Sequence, residues 1–366
     1  MNTTGAIVAI AALLVTTIPS RAEEPRQQQW HLDFLHIQEA HKITKGAGTV
    51  VAVVDTGVQI HPDLEGNVLP GATTNGHSVE DGQVDLSGHG TAMAGLIAAH
   101  GREGRGALGI APEAKILPVA TKVNDDTIGQ KSIAQGIGWS IAHNADVINI
   151  SSGGNPSVEL RAAIESAIEA DAVIVAASGN RPNREVGFPA AYPGVLAVGA
   201  VGRDGALAAL SVSGEALAIT APGEEIMTTR LAANYGVGSG TSDAAAIVSG
   251  AAALVRSRFP ELSAKEVVHR LTATAVDKGA PGRDKEYGYG VLNLVGALAD
   301  EVPPPTPTGG QKSISEAAAT TSPTAANSGP ERDGGLTRFA VVTVALTCGA
   351  VVGLVVWGRA RRRRRG

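Results

Sequence analysis

The sequence predicts an α/β fold: a three-layer domain on a mainly parallel sheet, followed by one C-terminal transmembrane helix. Three observations carry this expectation. Four short runs, VVAVVD (50–55), AKILPVA (114–120), ADVINIS (145–151) and AVIVAAS (172–178), are almost continuously apolar and rich in β-branched residues. Strands apolar on both faces belong to parallel sheets covered by helices on either side. Between them lie TAMAGLIAAH (91–100), KSIAQGIGWSIAHN (131–144) and VELRAAIESAIEA (158–170), all with helical spacing, and that alternation builds layered βαβ units. The third observation is Phe339 to Trp357 (FAVVTVALTCGAVVGLVVW), a run without a charge near the C-terminus.

In chain order, Gly5 to Ile18 is a short apolar run followed by Pro19 and Ser20-Arg21-Ala22. This reads as a secretory signal peptide over 1–22, cut near Ala22; an uncleaved N-terminal anchor is the alternative. Residues 23–45 form an N-terminal extension, and 46–300 the folded body. The body adds strand candidates VLAVGAV (195–201) and ALAITA (216–221), then a long helix from about Ser242 to Arg258. A linker rich in Pro, Thr, Ser and Ala occupies 301–337, and its composition cannot bury enough apolar surface to repay ordering. The transmembrane helix is placed at 338–358, since a run of this length at about 1.5 Å per residue nearly spans a core of roughly 30 Å. Arg359 and Arg361 to Arg365 follow in a basic tail, 359–366, which the positive-inside rule assigns to the cytoplasm. The expectation is therefore a single-pass protein of the cell membrane with its body outside.

The net charge of −5 hides an asymmetry, because eight of the 30 basic residues lie at the two ends. Residues 23–337 hold 22 basic against 35 acidic residues, about −13. So acidic a body argues against nucleic-acid binding. The single cysteine, Cys348, falls in the predicted span, so the body is expected to fold without disulfides.

In open parallel sheets, functional groups gather at the C-terminal ends of the strands. Asp55 ends the first strand, Asn180 follows the strand of 172–178, His89 lies in SGHGTAMAG, and Ser242 opens the long helix in GTSDAAA. Singly these read as turn, cap or loop residues. Together they are the parts of acyl transfer: a hydroxyl nucleophile, an imidazole to take its proton, a carboxylate to orient the imidazole, and an amide donor for an oxyanion. Other candidates weigh less. GVGSG (236–240) superficially resembles a phosphate loop but lacks the following Lys. His61 and Asp85 read as structural, and no His, Cys or Asp cluster has metal-ligand spacing.

The order Asp, His, Asn, Ser, within DTGVQIHPDL (55–64), SGHGTAMAG (87–95), VINISSGG (147–154), AASGN (176–180) and GTSDAA (240–245), resembles the subtilisin-like serine proteases. More narrowly, QQWHLDFLHIQEAHKITKGAG (28–48), LTATAVDKGAPGRDKEYGYGVLNLVGAL (271–298), the Pro-rich linker and the C-terminal span resemble the mycosins, membrane-anchored subtilases associated with type VII secretion in actinobacteria. The absence of paired cysteines in the body departs from many mycosins. The resemblance implies a serine endopeptidase acting on exported protein or peptide substrates beside a type VII secretion membrane complex. The alternative is a structural subunit of that complex with a weak or silent site. Residue by residue, it implies Ser242 as nucleophile, His89 as general base and acid, Asp55 as its orienting partner, and Asn180 with the Ser242 N–H as oxyanion hole. Ser151, Ser152, Gly153 and Gly154 would pair with the substrate backbone, and Ser178 and Gly179 would line its side-chain pocket. No cofactor is expected; structural calcium occurs in such proteins, yet no loop here specifies it. The 23–45 segment is too short for an ordinary subtilase folding prodomain and is expected to pack on the body without inhibiting it.

One residue departs from the family pattern. Relatives mostly carry Met, Phe or Tyr after the serine and Pro three residues later, where this chain has Asp243 and Ala246. Facing solvent, Asp243 would favour the helix start by about 0.3–1 kcal/mol. Facing the oxyanion at about 7 Å, it would cost about 2 kcal/mol.

Overall fold

The computed structural model describes residues 24–74, 81–121, 123–124 and 127–302. The expected signal peptide, nearly all of the linker, the transmembrane segment and the basic tail lie outside the described residues. Among the described residues no helix is long and apolar enough to cross a membrane.

Helices α1 (Trp30–Phe34) and α2 (Ile37–Ile43) lead into β1 (Val50–Asp55), β2 (Ala72–Thr73), α3 (His89–Ala98) and β3 (Lys115–Ala120). Next come the short pair β4 (Val123–Asn124) and β5 (Thr127–Ile128), then α4 (Gln130–Ala142), β6 (Val147–Ile150), α5 (Val158–Glu169), β7 (Val173–Ala177), β8 (Leu196–Val201) and β9 (Ile219–Pro222). The antiparallel hairpin of β10 (Ile226–Arg230) and β11 (Asn234–Gly238) precedes the long α6 (Thr241–Arg258), and α7 (Ala264–Ala273) and α8 (Leu294–Ala297) follow.

Seven strands form one sheet in the order β2-β3-β1-β6-β7-β8-β9, and every pairing in it is parallel. The chain steps outward from β1 to β3, then returns to the other side of β1 to lay down β6 onward. The order therefore reverses between β1 and β6, and such a switch point opens a crevice at the C-terminal strand ends.

The apolar runs divide their side chains between two cores. Val51 and Val53 of β1, Val147 of β6 and Val173 and Val175 of β7 point into one, beside α3 and α6. Ala52, Val54, Ile148, Ile150 and Ile174 point into the other, beside α4 and α5. This strict period of two, with both faces buried, is why these strands read as continuous apolar runs. Helix α6 is buried almost all round and built from small residues, so it packs deeply. A Cβ on Gly250, for example, would lie 2.7 Å from Ile110 Cβ.

From residue 24 onward the N-terminal extension belongs to the first core, through Leu32, Leu35, Ile37 and Ala40. The Gln29 side chain accepts from Leu108 N and donates to the Leu108 and Met227 carbonyls. The Trp30 indole donates to the carbonyls of Glu224 and Glu225. Elsewhere β9 runs over 219–222, later than the ALAITA candidate, and α3 begins two residues earlier than its apolar pattern. Asp85 explains the early start, because it accepts from the backbone N–H groups of Gly88 and Thr91 and so satisfies donors that a helix start leaves orphaned.

Candidate active site

Asp55 ends β1 at the switch point. Its backbone carbonyl accepts from Thr121 N at 2.7 Å and Thr121 Oγ1 at 2.8 Å, which ties β1 to the end of β3. The buried side chain accepts from Thr56 N at 2.7 Å, and the same Oδ1 lies 2.7 Å from His89 Nδ1. His89 is the first residue of α3, and the glycines around it are geometrically required. Gly88 turns the chain at φ +83°, in the left-handed region that favours glycine, and a Cβ on Gly90 would lie 2.0 Å from the Gly57 carbonyl oxygen. Asp85 secures this turn through Thr56 Oγ1, Ser87 N, Gly88 N, Thr91 N and Thr91 Oγ1. The Asp55 charge pushes the His89 imidazole up to about 9; the hydrogen bond to Asp55 and the charges of Asp243 and Asp85 add to this, and burial opposes it.

Ser242 is the second residue of α6, which packs against α3. Its hydroxyl donates to the Ser151 carbonyl at 3.0 Å, while Ser151 Oγ lies 3.2 Å from the Ser242 carbonyl. Among the described hydrogen bonds none joins Ser242 to His89.

Asn180 follows β7. Its Oδ1 accepts from Thr241 N at 3.0 Å and Thr241 Oγ1 at 3.1 Å, and Gly179 N donates to Thr241 Oγ1 at 3.1 Å. This lock turns the amide nitrogen away from Thr241. A Cβ on Gly240 would find Asn180 Nδ2 at 3.4 Å and Ser242 N at 3.6 Å, so two donors converge beside one bare backbone face, a shape suited to an oxyanion.

Ser151, Ser152, Gly153, Gly154, Ser178, Gly179, Asn180 and Ser242 all line one cavity of about 730 Å³, together with Asn155, Pro156, Ala177, Thr241 and Asn183 to Phe188. One of these residues differs from the sequence expectation. Gly154 N donates to the Phe188 carbonyl at 2.9 Å and its own carbonyl accepts from Phe188 N at 3.2 Å. Gly154 is thus already paired, and the stretch open to another strand narrows to Ser152 and Gly153. The Ser178 hydroxyl is committed to the Val212 carbonyl at 2.9 Å, which leaves the wall there to its backbone. Thr241 and Phe188 escaped the sequence reading; Thr241 carried a signal, its place directly before the serine, but Phe188 had none.

Asp243 does not face solvent: it is 5% exposed. Burial pushes its carboxyl up to about 6, against the pull of His89, Arg230 and its own backbone N–H. His61 Nδ1 accepts from Asp63 N and Nε2 reaches the Asn234 carbonyl, a structural role. Of the GVGSG stretch, residues 236–238 are strand, the end of β11. Among the described residues no group of three His, Cys, Asp or Glu side chains gathers to hold a metal ion.

A family model described as the subtilase family matches residues 46–290. The minor extracellular protease Epr of Bacillus subtilis is 35% identical over 276 residues, covering 75% of this chain. The chain spans 42% of the length of that relative. Among solved structures, MycP1 with its N-terminal propeptide removed is 34% identical with a TM-score of 0.68, covering 75% of this chain and 98% of that one. The MycP3 protease from the type VII (ESX-3) secretion system is 33% identical with a TM-score of 0.65, covering 77% and 90%. With the parallel sheet, its switch-point crevice and the match over residues 46–290 in agreement, this chain belongs to the subtilase family.

Proposed function

We propose that this protein is a membrane-anchored serine endopeptidase that cleaves exported protein substrates through an acyl-enzyme, working beside a type VII secretion complex. The observation that carries the chemistry is the 2.7 Å contact of His89 Nδ1 with buried Asp55, beside the α6 start that bears Ser242. In the reactive arrangement His89 is neutral, Nδ1–H donates to Asp55, and Nε2 faces the hydroxyl, which has rotated off Ser151. Ser242 Oγ bonds to the scissile carbonyl carbon as its proton passes to Nε2. The carbonyl oxygen becomes an oxyanion held by Asn180 Nδ2 and Ser242 N–H. The imidazolium then protonates the leaving amine, the C–N bond breaks, and water repeats the sequence to release the acid and restore Ser242. The chain N-terminal to the cleaved bond would lie along Ser152 and Gly153, with its last side chain in the 730 Å³ cavity.

The likeness to a MycP3 protease of a type VII secretion system supports the partner, and the uncharged run from Phe339 to Trp357 with its basic flank supports the anchor. The domain scheme follows: signal peptide 1–22, extension 23–45, protease domain 46–300, linker 301–337, one span and a cytoplasmic tail. The test labels the full-length chain with a fluorophosphonate. Labelling of wild type and none of Ser242→Ala is expected, with amide hydrolysis falling on the order of 10⁶-fold. A folded wild-type chain that takes no label would instead support the structural-subunit reading.

A further inference from the structure

The GVGSG stretch has a use that a phosphate loop would not explain. Its glycines alternate, so Gly236, Gly238 and Gly240 present one face of the chain. A Cβ on Gly236 would lie 3.1 Å from both Cγ and Nε of Arg230. One on Gly238 would lie 2.8 Å from Arg230 Nη2 and 3.2 Å from Asp243 Oδ1. One on Gly240 would lie 3.4 Å from Asp243 Oδ2, beside the two oxyanion donors. Register places Arg230 opposite Asn234, at the far end of the hairpin. Its side chain therefore runs back along the first two glycines, and Asp243 lies along the last two. The two charges meet over Gly238, where any side chain would displace them.

We propose that Asp243 is a positioning residue of the acyl-transfer site: a second carboxylate, seated on this glycine face opposite Arg230, that acts through space on His89 and on the oxyanion. The inference rests on the acyl-transfer reading above. As an anion, Asp243 favours the imidazolium and opposes the oxyanion; as a neutral acid it does neither. The charges that act on it are those of His89 from α3 and Arg230 from β10, and its own N–H at the start of α6 also acts on it. His89 is in turn faced by Asp55 from β1 and Asp85 from the loop before α3. While the His89–Asp243 pair holds one proton, two arrangements share the same net charge. With the proton on His89 there is no base. With the proton on Asp243, His89 is free to accept from Ser242 and the oxyanion meets no nearby anion. The balance between them is set inside the site and not by pH, as for other coupled groups. When the pair binds a second proton, the base is lost.

The test uses Asp243→Asn in the full-length chain with two readings. One is the His89 titration by NMR of ¹³C-labelled histidine in a Ser242→Ala background, the resonance assigned by its loss in His89→Ala. The other is the pH dependence of fluorophosphonate inactivation with Ser242 intact. Removing the anion should move the His89 midpoint and the acidic limb of inactivation together to lower pH, by about one unit. Asp243→Glu should restore part of the shift. An unchanged His89 midpoint in folded Asp243→Asn overturns the proposal and leaves Asp243 as a helix-start carboxylate. A wild-type chain that takes no fluorophosphonate overturns the acyl-transfer reading instead; a midpoint shift then still supports the coupling of His89 to Asp243.

Discussion

Two histidines of this protein show opposite electrostatics. His31, in α1, is fully buried with both ring nitrogens unpartnered, and burial alone pushes it down to about 3. His89, at the start of α3, keeps 38% of its side chain exposed and lies 2.7 Å from the buried Asp55, which pushes it up to about 9. Burial without a partner excludes the charged form, whereas a buried carboxylate in contact more than offsets the desolvation of the imidazole it touches. One imidazole is thereby an inert core residue and the other a group able to hold and pass a proton. The chemistry of the side chain is identical; the neighbour decides.

The largest effect expected from breaking this contrast comes from Asp55→Asn, which takes away the partner of His89. The rate of amide hydrolysis should fall about 10⁴-fold with circular dichroism unchanged, and the His89 midpoint should drop. Steady-state kinetics and histidine NMR on the same sample check both. Asn180→Ala should cost less, about 10²–10³-fold in kcat, and should leave the His89 midpoint in place. A shift there would mean that the oxyanion donors and the imidazole are not separable.

The next expectation concerns stability. The folded-state value of His31 lies below its unfolded one, so its contribution is present above about 6.5 and lost as pH falls toward 3. His31→Leu should flatten this acid limb, with a gain of about 3 kcal/mol at pH 4 and little change at pH 8, read from urea unfolding. For His89 the sign reverses. Its folded value is raised, so its contribution is complete below about 6.5 and lost as pH rises through about 9. Because the side chain is partly exposed, solvent screening limits this loss to about 1 kcal/mol between pH 6 and pH 10. In His89→Ala, urea unfolding at the two pH values should lack it.

The sheet was legible because burial on both faces writes itself into consecutive residues: VVAVVD is β1 without adjustment, and the other three runs are shortened by one to three residues. The hairpin β10–β11 was not, because Thr228 and Thr229 are buried by hydrogen bonds to the Ala92 and Thr91 carbonyls and not by apolar pattern. In the site, Asp55, His89, Asn180 and Ser242 stood out because each follows a strand end or opens a helix, which local sequence reveals. The lock of Asn180 by Thr241, the capture of Gly154 by Phe188 and the partnerless burial of His31 join residues far apart in the chain.

By itself, then, the amino-acid order determined the parallel α/β architecture, the family and the residues that gather at the strand ends, since apolar periodicity and the chemistry of short motifs are local properties. Only the tertiary structure decided the direction of Asp243. It is buried against Gly238 and Gly240, with Arg230 on one side and the oxyanion donors on the other, because α6 and β11 meet there. A charge is tuned by what surrounds it in space, and no stretch of sequence contains those neighbours.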